Sequence, residues 1–353
     1  MLSRVIAASL LVLTAPVWAV TKPTGAPDSQ LLTRVIAAKS LEQTPIGTDP
    51  NRSLLVYLPA GYDRSSHRYP VIYYLPNALD GFRADFDKHD AQALFDRAMA
   101  AGVIGKVIIV TPDLNTPIGC SWYVNSPVTG HWEDFVLSEL VPYVDANFRT
   151  LANRDSRGIL GDRMGGYGAI RFGMRHPEVF GSVYALHPVG TGTGVQTMHS
   201  RPDWDRLARV QSLGELRGDV FSNIFLSIYQ AVLPNPGRPP LYVDLAAHRA
   251  DGQLVVDSAL TGRLLQNFAL EASIAQYAEN LKSLRGFKLD WGRSDANHDH
   301  VYANQAFTHK LDEFGIPHEA EEYRGGWGDR LWGEDGRVYT DALPFFRQHL
   351  VTD

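Results

Sequence analysis

Cysteine is almost absent from this chain: Cys120 is the single thiol in 353 residues. No internal disulfide can form, so the fold must rest on its core, and the length suffices for one large core or two modest ones. A basic excess is missing too. The formal charge of -6 leaves no electrostatic footprint for nucleic acid. Internal repeats and low-complexity tracts are absent, and after the first nineteen residues no apolar run is long enough to span a bilayer. Within those residues, Arg4, the apolar stretch Val5 to Leu13 and the small-residue site Val17-Trp18-Ala19 follow the order of a secretory signal. Cleavage there removes Arg4, takes the charge from -6 to -7, and implies export to the periplasm or beyond.

What is present is an alternation. Val20 to about Pro50 is rich in Thr, Pro, Gly and Ala and reads as an extended lead-in. Strands are then expected at Ser53–Pro59, Tyr69–Leu75, Val107–Val110, Ser156–Leu160 and Ser182–Leu186. Helices are expected at Ala91–Ala101, at His131–Phe148 and at Met164–Arg175. Strands alternating with helices predict an α/β fold with a doubly wound, mostly parallel sheet. The alternation lapses from about Gly190 to Leu270, which reads as a cap over the carboxyl ends of the strands, and resumes through residue 350.

The organising stretch is Gly161-Asp162-Arg163-Met164-Gly165-Gly166, between an apolar run and a helical pattern. Strand, Gly-x-X-x-Gly-Gly, helix is the layout of a nucleophile elbow, in which glycines permit a turn that lifts one side chain above the sheet. The lifted residue of such an elbow is Ser. Here it is Arg163, which cannot attack a carbonyl.

Beyond the elbow, several short motifs resemble one family. They are Tyr57-Leu58-Pro59-Ala60-Gly61-Tyr62, Tyr69-Pro70-Val71-Ile72-Tyr73 and Tyr123-Val124-Asn125-Ser126-Pro127. They continue with Gly165-Gly166-Tyr167-Gly168-Ala169, Arg175-His176-Pro177-Glu178-Val179-Phe180 and Phe314-Gly315-Ile316-Pro317-His318. In this order they resemble the putative-esterase family of α/β hydrolases, which includes S-formylglutathione hydrolases, feruloyl and acetylxylan esterases and mycolyltransferases. The resemblance implies an α/β-hydrolase domain over residues 51–350 and a triad in the order Ser, acid, His. At those positions this chain carries Arg163, Asp295 and Trp327. The two members that move protons and electrons are replaced. The family's His-Gly-type oxyanion turn is replaced by Pro76-Asn77-Ala78-Leu79-Asp80-Gly81, so the donors implied by the resemblance reduce to Met164 and a loop N–H of Asn77 or Ala78.

A cation at a helix N-terminus, partly covered by a cap, needs a carboxylate. Asp295 is the expected partner of Arg163, with Trp327 packed beside the pair. An alternative is that Arg163 binds a carboxylate or phosphate ligand with its planar fork. His187 is the best relocated base, Cys120 a less favoured nucleophile, and Tyr123, Asn125 and Trp132 are candidate cleft-lining residues. The clusters Asp85-Phe86-Asp87-Lys88-His89-Asp90 and Asn297-His298-Asp299-His300 lack metal spacing and read as polar turns, with Asn297 or Asp299 as a helix cap. No metal and no cofactor is implied, and the sequence fixes no oligomeric state. The expectation is an exported esterase-family protein without Ser-dependent hydrolysis that acts as a binding or scaffold protein for a small molecule, an ester or an acidic compound. An active ester hydrolase or acyltransferase with relocated groups is the alternative.

Overall fold

Neighbouring residues of the central strands are buried on opposite faces, because side chains alternate along a strand. Leu54, Val56, Val71 and Tyr73 join one apolar cluster, while Leu55, Tyr57, Ile72 and Tyr74 join another. A sheet buried on both sides follows, and the near-continuous apolar runs of the sequence are its signature.

A computed structural model describes residues 28–192 and 199–352. Eight strands form one sheet: β1 Gln30–Ala37, β2 Asn51–Leu58, β3 Val71–Leu75, β4 Ile108–Pro112, β5 Arg157–Asp162, β6 Ser182–Leu186, β7 Gly286–Gly292 and β8 Glu319–Tyr323. Their spatial order is β1-β2-β4-β3-β5-β6-β7-β8. The strand β2 is antiparallel to both neighbours, and every pairing from β4 across to β8 is parallel. This is the expected α/β class and mostly parallel sheet. Registers place Leu75 beside Gly161, Asp162 beside Leu186 and Leu186 beside Asp290, so the carboxyl ends of the central strands open on one edge.

The lead-in is more ordered than its composition suggests. β1 lies within it and pairs along its length with β2, as a half-exposed edge strand. The expected helix His131–Phe148 is also interrupted, since residues Phe135–Leu140 adopt a π-helical turn before the α-helix Val141–Asn147. Pro142 sits in the first turn of that α-helix and has no N–H to donate, so the ladder is already broken there. A second π segment, Val338–Ala342, precedes Pro344 in the same way. The signal segment lies outside the described residues.

Among its described residues the insertion carries three α-helices, Trp204–Leu207, Val220–Val232 and Ser258–Phe268, and a hairpin of Ala247–Ala250 with Gln253–Val256. It is docked on the sheet end by polar and aromatic contacts. Trp122 Nε1–H donates to Ser227 Oγ at 2.9 Å, Ser126 Oγ–H to the Gln230 carbonyl at 2.6 Å, and Phe268 stacks on Tyr167 at 4.9 Å. Among the described residues, no helix is long and apolar enough to cross a membrane.

Candidate functional site

The elbow is built as the glycines predict. Arg163 has φ 57° and ψ -104° at the step from β5 to the helix Met164–Arg175. This is a conformation a non-glycine residue holds only when its surroundings impose it. They do so through close approach: a Cβ on Gly161 would stand 2.0 Å from the Gly165 carbonyl oxygen, and one on Gly165 would stand 1.8 Å from that of Leu75. The Arg163 N–H donates to Leu186 at 2.9 Å and its carbonyl accepts from Tyr167 at 3.0 Å, which pins both sides of the turn.

The guanidinium does not pair with Asp295. Arg163 Nη1 lies 2.9 Å from Asp162 Oδ2 and 3.8 Å from Asp80 Oδ2, and its Cζ sits 4.6 Å over the Trp327 ring. Trp327 is therefore packed beside the cation as expected, but the partner is the preceding residue in the chain. Burial pushes the Asp162 carboxyl up to about 7, opposed by Arg163 and reinforced by Asp85.

Asp295 is already taken. Its Oδ2 accepts from His187 Nε2 and from His300 Nδ1, each at 2.9 Å, and its Oδ1 accepts from the Asn297 N–H at 2.8 Å. Burial opposes its ionisation, yet the hydrogen bonds from His187, His300 and Asn297 outweigh that and hold it well below the usual carboxylate range. Two imidazoles and a backbone amide leave no room for a guanidinium.

His187 is fully buried, so the expected relocated base is ruled out by its bonding. Its Nδ1 accepts the Gly292 N–H at 2.9 Å, which leaves the proton on Nε2, where it is donated to Asp295. No lone pair faces a substrate, and burial lowers the pKa further. The same tautomer rejects a metal, although donor atoms of His187, Asp295 and His300 lie within 4.8 Å of one another. A metal on His187 Nε2 would require a protonated Nδ1, and that proton would collide with the Gly292 N–H.

His300 is the residue that sequence reasoning passed over as part of a polar turn. It stands in the first turn of the helix His298–Glu313, with its side chain 11% exposed, and gives its Nδ1 proton to Asp295. In neutral imidazole the other nitrogen then carries a lone pair, and His300 Nε2 has no hydrogen-bond partner among the described residues. The available signal was spacing: His300 follows Asp295 by five residues and can fold back on it. Asn297 is the N-cap by position, but its side chain makes no capping bond.

His300 lines a cavity of about 180 Å³ beneath the insertion. Trp122, Phe221, Phe268 and Trp327 supply aromatic walls, with Met164 from the elbow helix and Ile228 from the insertion between them. Its polar side chains are Asn297, Asp299 and His300, and no hydroxyl or thiol lines it among the described residues. Arg163 faces a separate polar cavity of about 370 Å³, which also carries Lys88 and Arg330 but is opposed by Asp80 and Asp85.

The other candidates fall elsewhere. Asn77 Nδ2–H donates to Asp80 at 2.7 Å, the Ala78 carbonyl accepts from Asn115 at 2.9 Å, and both residues line a small neighbouring hollow; Leu79 reaches the main cavity instead. Tyr123 is buried and lines that same hollow, so its neighbour Trp122 is the residue at the cavity wall. Asn125 bonds Asp134 at 2.9 Å and Trp132 is buried with its Nε1–H on Thr129, both away from the cavity. Cys120 is buried, which pushes its thiol up to about 12 and leaves it an inert core residue.

The family described as "Putative esterase" matches residues 47–219. An esterase of Mycobacterium tuberculosis is 28% identical over 297 residues, which is 81% of this chain and 54% of that protein. The chain thus spans about half the length of the curated relatives it first matches. A ferulic acid esterase structure has a TM-score of 0.63 at 21% identity, covering 92% of this chain and 100% of that one. An S-formylglutathione hydrolase of Agrobacterium tumefaciens has a TM-score of 0.59 at 15% identity, covering 93% and 98%. That of Staphylococcus aureus has 0.57 at 14%, covering 89% and 99%. At such identities these structures speak to the fold alone.

Proposed function

The chain has the esterase-type α/β-hydrolase fold, and from that premise we propose that it is an exported protein that has lost Ser-dependent hydrolysis and binds a small molecule in the cavity beside the old elbow. The observation that carries this reading is the cavity wall, which offers no hydroxyl or thiol among the described residues. Ester hydrolysis by a serine hydrolase needs such a nucleophile, with an imidazole to take its proton. Here the elbow side chain is a guanidinium tied to Asp162, and the imidazole next to the acid has nothing to activate but water.

The expected Arg–Asp plug would have closed the site. Its absence leaves a partly open, mostly apolar volume with a few polar groups, which is the ordinary character of a ligand pocket. Export rests on the order of Arg4, Val5 to Leu13 and Val17-Trp18-Ala19. The alternative is an ester hydrolase that uses His300 as base for a water molecule, and the Asp295–His300 hydrogen bond is what favours it. A chromogenic short-chain ester separates the two. Purified protein is expected to give no turnover above buffer. Turnover that survives Arg163→Ala and disappears in His300→Ala would overturn the binding reading.

A further inference from the structure

Resting on that binding reading, we propose that the cavity selects an uncharged, largely apolar molecule of about one ring in size that carries a single O–H donor, an alcohol or a phenol, and rejects carboxylates. Size comes first. A dry cavity of ~150 Å³ lined by apolar side chains holds benzene, and this one is about 180 Å³. Access comes second. Leu79, Val220 and Phe221 are 48%, 49% and 38% exposed, and all three line the same cavity. Large apolar side chains left this open together make an apolar mouth, which a charged solute has no reason to enter.

Polarity comes third, and it has a sign. His300 commits Nδ1–H to Asp295, so in the neutral imidazole the nitrogen left over accepts rather than donates. Asp299, on the same wall, has a buried Oδ2 without a hydrogen-bond partner. The Asn297 amide, which donates as well as accepts, stands beside them, and no Lys or Arg lines this volume among the described residues. A ligand O–H satisfies one of these acceptors. A carboxylate meets the Asp299 carboxylate and the His300 lone pair, with only the Asn297 amide to offset its lost hydration. Arg163, the group that would attract an anion, opens on the other cavity.

The test is calorimetric titration of the full chain with phenol, toluene and benzoate at pH 8. Phenol should bind about two- to ten-fold more tightly than toluene, the worth of one hydrogen bond, and benzoate more weakly than either. His300→Phe should bring phenol down to the toluene level and leave toluene unchanged. Asp299→Asn, which keeps the helix turn, should strengthen benzoate. Ala303→Trp, which fills the cavity from its wall, should abolish all binding. Toluene binding as well as phenol, or benzoate binding best, overturns the donor rule while the binding reading stands. Failure of all three probes to bind, or binding that Ala303→Trp leaves intact, overturns the site and the reading with it.

Discussion

Replacing Asp295 by Ala strands three donors at once. The carboxylate is 3% exposed and accepts from His187, His300 and the Asn297 amide. His187 is fully buried, so water cannot replace the lost acceptor, and an orphaned buried donor costs about 1–3 kcal/mol. His300 and the Asn297 amide border the cavity, where water can enter, and they contribute about 1 kcal/mol each. The sum is about 3–5 kcal/mol, the range seen when one side of a buried polar pair is removed. Asp295→Asn keeps an acceptor oxygen but loses its charge, so roughly half of that cost is expected. The pH dependence follows from the depressed pKa of Asp295 in the fold. Its stabilisation is complete above the unfolded carboxylate value near ~3.9 and is lost as pH falls through the lower folded value. The penalty of Asp295→Ala should therefore be constant above about pH 5 and shrink in acid. Urea unfolding followed by tryptophan fluorescence measures both. A loss below about 1 kcal/mol at pH 7, or a loss that grows in acid, refutes the assignment of Asp295 as the shared acceptor.

Other outcomes follow from the same contacts. Asp162, raised to about 7 by burial, stabilises fully below the unfolded carboxylate value and loses that contribution as pH rises through its folded value. Asp162→Asn should therefore flatten the dependence of the urea midpoint on pH between about 4 and 7, and a profile that superimposes on the parent contradicts this. Gly165→Ala drives a Cβ to 1.8 Å from a backbone oxygen, whereas Gly328→Ala meets only the end of the Arg163 side chain, with Nη2 at 2.6 Å. The first should cost at least about 3 kcal/mol or prevent folding, and the second less than about 1, as thermal melts would show. Glu133 accepts from Arg171 at 2.6 Å, Arg175 at 3.1 Å and His176 at 2.8 Å. Burial opposes its ionisation, but these partners, His176 foremost, hold its carboxyl at about 2. Glu133→Gln should cost about 2–3 kcal/mol at pH 7, and the difference should vanish as pH falls toward that value. A penalty independent of pH from 7 to 3 would count against it.

Much of the fold could be read from apolar runs and glycines, because a strand buried on both faces has no polar side to obscure it. β3, β5, β6 and the helix Met164–Arg175 lie close to where periodicity put them. β1 escaped because an edge strand is half exposed, and Gln-Leu-Leu-Thr-Arg-Val-Ile-Ala shows no clean alternation. Pro142 was visible inside the expected helix His131–Phe148, yet periodicity carried the reading past it. At the site, the glycine-lined turn that carries Arg163 was legible from the sequence. The partner of Arg163 was not. Chain position brought Asp295 near the elbow, but the acceptor capacity of a carboxylate was filled by His187 and His300, and no spacing rule reveals that two imidazoles arrive first. The cavity was hidden for a related reason: Phe221, Ile228 and Phe268 come from the insertion, where no motif guides the eye.

A covalent trap bears most directly on the central claim that the elbow survives without its nucleophile. The purified chain would be incubated with an excess of a chromogenic short-chain ester, or of a fluorophosphonate that reacts with activated hydroxyls, and its intact mass recorded. The account predicts an unchanged mass. A stoichiometric acyl or phosphonyl adduct on any side chain that lines the cavity would contradict it.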